Sequence, residues 1–424
     1  MIKKHLVYFI VSTTFFLSAL CFADAFKEIP EFTKNDRILI LAPHPDDEAI
    51  ATAGVIQRAL KADSKIKVVC YTNGDNNELA FIVYEKRLTL RRRELIHMGE
   101  VRMRETVEAM GYLGVSKDDI LFLGYPDFGT MEILTKYWGN VKPFRALSTR
   151  SSKVPYPECL SPGAPYLGES ILKDLKRIIV DFKPTRIFVS SPVDTNRDHR
   201  SLYLFLQIAL WDLEKVINKP RVFSYVIHVV GWPKPRGYHP ELGLDPPSNL
   251  IGMSWSKLSL TPEEIKIKYD CLSFYKSQIE YDKPYLFTFA RKNEIFGEHP
   301  VVTLPVDISP LAYSIQDNNL FIKLNLKRKI DKDFGISIFL LGYNKSKDFA
   351  TMPKIHITVG ILGMHIQDKK QRISVKDAQF IYEGNTIILK FPLTSLGDPD
   401  YILSTARSVD LPFGQTVWRI IKLE

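Results

Sequence analysis

From Arg37 onward the chain alternates between short apolar runs and longer amphipathic stretches, and this rhythm restricts the fold more than any other feature of the sequence. The apolar runs have the length of buried strands, and the stretches between them carry apolar residues at helical spacing. The predicted strands are residues 37–41, 65–71, 120–123, 186–189 and 222–230, and the predicted helices are residues 48–62, 104–113, 170–182 and 201–216. Strands that alternate with helices build a parallel sheet covered on both faces. The pattern therefore predicts an α/β domain with a Rossmann-like, mostly parallel sheet.

The pattern changes after about Pro300, where short strand-like runs are separated by turn signals such as Asn318-Asn319 and Asp398-Pro399. The predicted strands in this region are residues 301–306, 320–326, 335–341, 354–360, 372–375, 386–391 and 417–422. Short strands with regular turns predict an all-β, sandwich-like domain. A chain of 424 residues is also longer than one hydrophobic core usually serves. We therefore predict an α/β domain at 30–298 and an accessory β-sandwich domain at 304–424.

The amino-terminal residues have the pattern of an export signal. Lys3 and Lys4 precede an apolar run at 6–22, and small residues follow at Ala23 and Ala25. A basic start, an apolar stretch and a small-residue exit are typical of a secretory signal peptide, which we place at residues 1–23. An uncleaved membrane anchor is the alternative, because the run is about long enough to span a bilayer. Both interpretations predict a secreted or periplasmic protein.

Charge and cysteine content restrict the partners and leave one disulfide open. Removing residues 1–23 takes away two lysines, so the formal net charge falls from +9 to +7, spread along the chain. A basic exported protein suits association with the cell envelope or with anionic glycans, although general solubility explains the same charge. No aromatic-plus-basic motif for nucleic acid is present, so we expect no nucleic-acid partner. Cys159 and Cys271 could pair in an oxidising compartment, but their spacing does not decide this.

The most informative segment is Ala42-Pro43-His44-Pro45-Asp46-Asp47-Glu48, which directly follows the first predicted strand and opens a helix. In parallel α/β sheets, sites form where the strands end at their carboxyl edge. One imidazole and three carboxylates crowded at such an edge favour a bound cation, and this donor set suits zinc. His44 and Asp47 are three positions apart across a tight turn, so both side chains can point at one ion. Asp46 is then left for a different role.

A third metal ligand is predicted at His199. It lies in the segment Asp194-Thr195-Asn196-Arg197-Asp198-His199-Arg200, which follows the predicted strand 186–189 and opens the next helix. It should therefore lie on the same sheet edge as His44. Other histidines are poorer candidates, because His5 belongs to the signal peptide and His356 and His365 lie in the predicted sandwich. A lone Asp-His pair is more often a capping or surface motif, but two acid–histidine clusters at two strand ends favour a metal site.

These residues resemble a known family. The motif from His44 to Glu48, with the later Asp198-His199, resembles the zinc N-acetylglucosaminyl deacetylases of the PIG-L or LmbE-like type. Further matching segments are Arg102 with Glu105, Leu123-Gly124-Tyr125-Pro126-Asp127, Tyr275-Lys276-Ser277-Gln278 and Arg291-Lys292-Asn293-Glu294-Ile295-Phe296. The resemblance covers roughly residues 35–298 and does not extend to the carboxyl-terminal region.

The resemblance implies a role for several residues. It implies one zinc ion per chain, with the ligands His44, Asp47 and His199. It implies that Asp46 is the general base, and that Arg102 and Asp127 hold the hydroxyl groups of the sugar. A helix-surface ion pair for Arg102 and a turn-forming role for Asp127 remain the alternatives. Residues 124–167, a long segment without strong periodicity, are predicted to overhang the metal and to select the sugar.

The chain departs from the family pattern at Asn196. The family often has a histidine at this position, three before the metal histidine, where it helps to stabilise the oxyanion. Asn196 can still donate a neutral hydrogen bond, but it cannot supply a proton. His228, placed at the end of the predicted strand 222–230, is a candidate for the missing function. A hydrogen-bonded core histidine is the alternative interpretation of His228.

The sequence therefore predicts a secreted, zinc-dependent hydrolase that removes an acetyl group from an N-acetylglucosamine-type sugar or glycoconjugate. A zinc esterase or amidase that acts on another acylated glycan or metabolite would use the same activated water. A carbohydrate-binding protein with an inactive metal site is the third hypothesis. The sandwich domain could bind glycans or could pack against the catalytic domain and rigidify it.

Overall fold

The computed structural model of the protein describes residues 26–86, 91–248, 250, 253–308, 311–326, 335–360, 363–408 and 417–423. The predicted signal peptide at 1–23 lies outside these residues. Within the described part of the chain, no helix combines the length and the apolar character that crossing a bilayer requires. Cys159 and Cys271 are buried free thiols, so the disulfide left open above is not formed.

An eight-stranded sheet dominates the first part of the molecule. Its strands are β1 (Phe26–Glu28), β2 (Arg37–Ala42), β3 (Lys65–Thr72), β4 (Ile120–Tyr125), β5 (Arg186–Ser190), β6 (Arg221–Tyr225), β7 (Ser254–Ser259) and β8 (Asn293–Glu298). They lie in the order β1-β7-β8-β6-β5-β2-β3-β4. Only β8 runs antiparallel to its neighbours β6 and β7. The predicted Rossmann-like, mostly parallel sheet is therefore confirmed.

Eight α-helices accompany this sheet in the described residues. They are α1 (Asp47–Lys61), α2 (Glu78–Glu85), α3 (Arg92–Leu113), α4 (Thr130–Lys136), α5 (Gly168–Phe182), α6 (Arg197–Asp212), α7 (Pro262–Leu272) and α8 (Lys276–Phe287). The prediction for α3 was wrong at its beginning, because the helix starts twelve residues before position 104. Arg102 therefore lies inside the helix rather than ahead of it.

The predicted strand at 222–230 was wrong at its end. Strand β6 stops at Tyr225, so His228 lies three residues beyond it. The backbone N–H groups of Ile227 and His228 donate to Asp194 Oδ2, at 2.9 and 3.0 Å, instead of to a neighbouring strand. A side-chain acceptor has replaced the sheet partner, and an apolar sequence pattern cannot reveal such a replacement.

The chain order of the strands places a crevice at one point of the sheet. From β2 the chain proceeds to β3 and β4 on one side, whereas β5 and β6 lie on the other side. Ligands of open α/β sheets bind at such a switch point, outside the carboxyl ends of the strands. Residues 43–47 follow β2 and residues 191–199 follow β5, so both predicted acid–histidine segments emerge at this crevice.

Two further sheets follow in the chain. Their strands are β9 (Val301–Thr303), β10 (Val306–Ile308), β11 (Leu311–Gln316), β12 (Asn319–Asn325), β13 (Gly335–Tyr343), β14 (Lys354–Gly360), β15 (Gly363–Asp368), β16 (Gln371–Ile373), β17 (Gln379–Glu383), β18 (Thr386–Pro392), β19 (Tyr401–Arg407) and β20 (Arg419–Lys422). One sheet has the order β10-β11-β12-β18-β17, and the other has β16-β15-β14-β13-β19-β20-β9. Alternate apolar side chains from both sheets share one core, as the predicted sandwich requires.

The sandwich packs directly against helix α6. The ring of Trp211 stacks on Tyr401 with centroids 4.5 Å apart. Next to this stack, the Tyr343 hydroxyl donates to Asp212 at 3.0 Å. Because α6 begins at the crevice and ends at the sandwich, this contact supports the helix that carries His199.

Candidate metal centre and active site

Three side-chain atoms converge at the crevice. Asp47 Oδ2 lies 3.1 Å from His44 Nδ1 and 3.1 Å from His199 Nε2. The two imidazole nitrogens are 3.3 Å apart. All three residues are buried. The structure thus brings the three predicted ligands into a nearly equilateral triangle of donor atoms, which is a candidate metal site.

The turn after β2 orients the side chains of His44 and Asp47, and its backbone is strained at one residue. Asp46 has a φ of 116°, which residues with a side chain rarely adopt and which costs about 1–3 kcal/mol. Its N–H donates to Glu48 Oε2 at 3.1 Å. Glu48 Oε1 in turn accepts from Thr106 at 2.9 Å and from Tyr275 at 2.6 Å. Glu48 therefore supports the turn, as an acidic residue in the first turn of α1 is suited to do.

Each imidazole has a carboxylate near the nitrogen that faces away from the triangle. Asp194 Oδ2 lies 3.3 Å from His199 Nδ1. On the other side, Asp127 Oδ1 lies 3.2 Å from His44 Nε2, and Asp198 Oδ2 lies 3.5 Å from the same atom. Carboxylates in this position fix the tautomer and the orientation of metal-binding histidines.

The carboxylates favour positive charge at the triangle. Burial alone would lower the pKa of His199, but Asp194 and Asp47 raise it to about 9. Burial likewise opposes charge on His44, yet Asp127 and the neighbouring carboxylates raise its pKa well above the usual value. The two imidazoles in turn hold the pKa of Asp47 well below its ordinary range despite burial. This excess of buried carboxylates favours the binding of a cation at the triangle.

Asp46 lies beside the triangle and is held by Arg102. The guanidinium of Arg102 contacts Asp46 Oδ2 at 3.2 Å and also donates to the carbonyls of Pro45 and Gly74, at 2.6 and 3.0 Å. Burial raises the pKa of Asp46 to about 8, with Asp47 adding to the rise and Arg102 opposing it. A divalent cation in the triangle would lower this pKa. The contacts of Arg102 orient Asp46, whereas its role as a sugar ligand stays a prediction.

His228 reaches the site from the loop after β6. Its ring packs edge-on against His199, with centroids 4.8 Å apart. The hydroxyl of Tyr285 lies 2.8 Å from His228 Nδ1, and the two rings are nearly parallel. Burial lowers the pKa of His228 to about 4, so the imidazole is neutral at neutral pH. Asn196 lies nearby, where its side-chain oxygen caps α6 by accepting from the N–H of Asp198 at 2.8 Å.

A cavity of about 580 Å³ opens over the triangle. Two of the candidate ligands, His44 and Asp47, line it, whereas His199 is fully buried behind them. The other predicted site residues also face this space, namely Asp46, Arg102, Asp127, Asn196 and His228. The prediction for residues 124–167 was mostly wrong. Only Asp127 and Phe128 of that segment line the cavity, because most of its aromatic residues pack into or against the core of the domain. The fully buried ones are Tyr125, Trp138, Tyr156 and Tyr166.

Sequence reasoning missed three groups that the structure adds. Asp194 and Asp198 stood inside the recognised segment, but nothing distinguished them from capping residues. In the structure, the carboxylate of each lies near an imidazole and accepts a hydrogen bond from a backbone N–H of a neighbouring loop. Tyr285 had no signal in the sequence, because it acts from a helix far along the chain.

The comparison with protein families agrees with the resemblance. Residues 39–210 match the family model described as PIG-L: GlcNAc-PI de-N-acetylase. The matched segment contains His44, Asp46, Asp47 and His199, and it ends before His228. No curated protein matches the chain by sequence.

Solved structures similar to this chain share low sequence identity with it. N,N'-diacetylchitobiose deacetylase from Pyrococcus horikoshii is 19% identical with a TM-score of 0.37, and the match covers 62% of this chain and 84% of that one. A deacetylase of teicoplanin biosynthesis is 15% identical with a TM-score of 0.40, covering 62% and 96%. A 4-carboxy-2-hydroxymuconate hydratase from Pseudomonas putida is 15% identical with a TM-score of 0.37, covering 66% and 100%.

Proposed function

Since residues 39–210 belong to the PIG-L family, we propose that the protein is a zinc-dependent hydrolase that removes the acetyl group from an N-acetylglucosamine-type sugar or glycoconjugate. The observation that carries the proposal is the triangle formed by His44 Nδ1, Asp47 Oδ2 and His199 Nε2. Its position under an open cavity, beside the buried carboxylate of Asp46, is what hydrolysis requires.

The donor triangle fits zinc in size and in chemistry. Tetrahedral zinc with bonds of about 2.0–2.1 Å separates its ligand atoms by about 3.3 Å. The observed separations are 3.1, 3.1 and 3.3 Å. Two imidazoles and one carboxylate are the ligand set of many catalytic zinc sites, which keep a fourth position open. The protein would therefore hold zinc through His44, Asp47 and His199.

Asp46 is the proposed general base. A zinc ion held here would act as a Lewis acid that polarises the acetyl carbonyl and acidifies water. The carboxylate of Asp46 accepts the proton of the attacking water and then returns it to the amine nitrogen that leaves. Arg102 keeps this carboxylate turned toward the cavity, because its guanidinium is itself fixed by two backbone carbonyls.

His228 is the proposed donor to the carbonyl oxygen as negative charge develops there. The Tyr285 hydroxyl lies 2.8 Å from Nδ1 of His228 and 3.2 Å from the carbonyl oxygen of Ile227. The proposal requires this hydroxyl to donate to Nδ1, which leaves the ring proton on Nε2. A neutral imidazole held in one tautomer is a preorganised hydrogen-bond donor. Asn196 is the second candidate, because its side-chain oxygen accepts at the start of α6 and its amide NH2 is the group that would donate. If Asn196→Ala lost turnover while His228→Ala kept it, the assignment to His228 would be wrong.

Metal analysis combined with acetate release tests the proposed function. The purified protein should contain one zinc per chain and release acetate from N-acetylglucosamine conjugates. Matched O-acetyl sugars distinguish the alternatives, since faster release from them would identify an esterase. Zinc binding without acetate release from either series would favour a carbohydrate-binding protein with an inactive site.

We also infer that the protein is exported, from the basic and apolar pattern of residues 1–23. Export would bring the site to glycans of the cell envelope. Cell fractionation and amino-terminal sequencing of the mature protein test this, and a cytoplasmic protein that keeps Met1 would contradict it.

A further inference from the structure

A second cavity adjoins the one over the triangle. It measures about 500 Å³ and is bounded by the loop after β6. The two cavities share His228, Asp282 and Tyr285 in their walls, so they meet at the proposed oxyanion donor. A ligand that places its acetyl group at the triangle can therefore continue past His228 into the second space.

The shared wall results from a break in helix α8. Pro284 lies inside the helix, where it removes a backbone donor and obstructs the preceding turn. Asp282 accordingly has non-helical dihedral angles, with φ −139° and ψ 66°. The kink brings Asp282 to the rim of both cavities, while Tyr285 stays bonded to His228.

The opposite wall is held in place by a buried arginine. The guanidinium of Arg291 donates to the carbonyls of Lys234, Pro235 and Gly243, at 3.2, 2.5 and 3.2 Å. Trp232 adds a further tie by donating from its indole N–H to the carbonyl of Asp245 at 2.8 Å. The loop that forms the second cavity is thus held by its own hydrogen bonds, as the walls of preformed binding sites usually are.

The lining of the second cavity combines flat apolar groups with hydrogen-bonding groups. Val230, Trp232 and Pro233 supply the apolar part. Arg236 lies over the Tyr285 ring at 5.3 Å and pairs with Asp282 at 3.3 Å, which places donors and acceptors side by side. An acyl chain in this space would desolvate these charges without replacing their hydrogen bonds. A sugar ring has both an apolar face and a hydroxylated edge, and it satisfies both kinds of wall.

We propose that the substrate is a glycan of at least two sugars, with the unit next to the N-acetylated sugar bound in the cavity formed by Val230, Trp232 and Arg236. This inference rests on the proposed function and names its substrate class. Binding energy from the neighbouring unit would then assist the reaction at the acetyl group, because remote contacts help to orient the reacting centre.

The test compares acetate release from N-acetylglucosamine with release from its β-1,4- and β-1,6-linked dimers, using the full zinc-loaded chain. The kcat/KM for at least one dimer should exceed that for the monosaccharide by at least about tenfold. Val230→Trp should fill the second cavity, and Arg236→Ala should remove its donors. Both variants should lower the ratio of dimer to monosaccharide kcat/KM toward one.

Matched controls come from surface positions that line neither cavity. Val216→Trp replaces another exposed valine, and Arg177→Ala removes another exposed arginine paired with an aspartate. Both should leave the ratio unchanged. A ratio near one in the unmodified protein overturns the proposal, as does a ratio that Val230→Trp and Arg236→Ala leave as high as the controls do.

Failure of the proposed function gives a different result. If neither the monosaccharide nor the dimers release acetate, the second cavity is judged by equilibrium binding of the same sugars to the zinc-loaded chain. A dimer that binds at least about tenfold more tightly than the monosaccharide, and loses this advantage in Val230→Trp, supports the extended site. Equal binding of both sugars overturns it.

Discussion

The crevice of the α/β domain and the core of the β-sandwich bury very different side chains. The crevice buries the carboxylates of two short segments, which are Asp46, Asp47 and Glu48 in the first and Asp194 and Asp198 in the second. Among the described residues of the sandwich, the buried charged side chains are Lys354 and Arg419. Lys354 is satisfied by the carbonyls of Phe349 and Met352, at 2.6 and 2.8 Å.

The difference shows which region is organised for stability and which for chemistry. Burying an ionised group costs several kcal/mol unless partners compensate it. The sandwich mostly avoids that cost and relies on alternating apolar side chains. The crevice accepts the cost, and its carboxylates are arranged around two imidazoles where a cation can compensate them. Substitutions in the two regions should therefore have separable effects on turnover and on stability.

The largest expected effect is the loss of a metal ligand. His199→Ala should lower zinc content below one ion per chain and reduce turnover by at least about 10³-fold, because the electrophile and its charge are lost. Metal analysis and acetate release measure both results. His356→Ala is the matched control, since this histidine of the sandwich stacks on Phe339 and does not line the cavity over the triangle. A His199→Ala protein that retains a full equivalent of zinc would remove His199 from the ligand set.

The next effect should come from the proposed base. Asp46→Asn keeps the size and polarity of the side chain but removes the proton acceptor, so turnover should fall by about 10²–10⁴-fold. Zinc content should stay at one per chain, because Asp46 is outside the triangle. Zinc loss in this variant would instead place Asp46 among the ligands.

A smaller effect is expected where a carboxylate supports a ligand. Asp194→Asn should weaken zinc affinity by about 10–100-fold, because Asp194 orients the ring of His199 from its Nδ1 side. Competition with a chelator measures this affinity. Asp174→Asn is the control, as Asp174 is also buried in the α/β domain but accepts from Tyr125 and Ser161 instead. Equal affinity losses in both variants would indicate a general effect of removing a buried charge.

The smallest effect on turnover should follow a change in the sandwich core. Ile357→Ala should lower the free energy of unfolding by about 2–5 kcal/mol, through lost burial and a residual cavity, while kcat changes little. Ile40→Ala makes the same substitution at an equally buried site in β2, next to the crevice. Denaturant titrations should show comparable destabilisation, but only Ile40→Ala should also reduce kcat. Equal losses of kcat would show that the two regions are not separable.

Much of the α/β fold was accessible to sequence reasoning because it depends on local periodicity. The bounds of strands β2, β3, β4 and β5 were each predicted to within two residues, because short apolar runs between turn signals usually form buried strands. The sandwich strands β11, β15, β17 and β19 were missed. Strands β11, β15 and β17 have exposed faces and polar residues that obscure the apolar alternation. Strand β19 is buried, but Ser404 and Thr405 interrupt its apolar run.

The sequence by itself determined the donor residues and the sheet edge at which they lie. His44, Asp47 and His199 were identifiable because their segments follow parallel strands, and parallel strands end together. The matched family extends over those same segments. Local order along the chain was sufficient for this step.

Only the tertiary structure decided how each group is held. Two of the three contacts that hold these groups join residues that are distant along the chain, namely Asp46 with Arg102 and His228 with Tyr285. The third, between Asp194 and His199, depends on the conformation of an irregular loop. Periodicity carries no information on such contacts, because it reports which face of an element is buried and not which side chain meets it there. The second cavity likewise exists only through a helix kink and a loop fixed by Arg291.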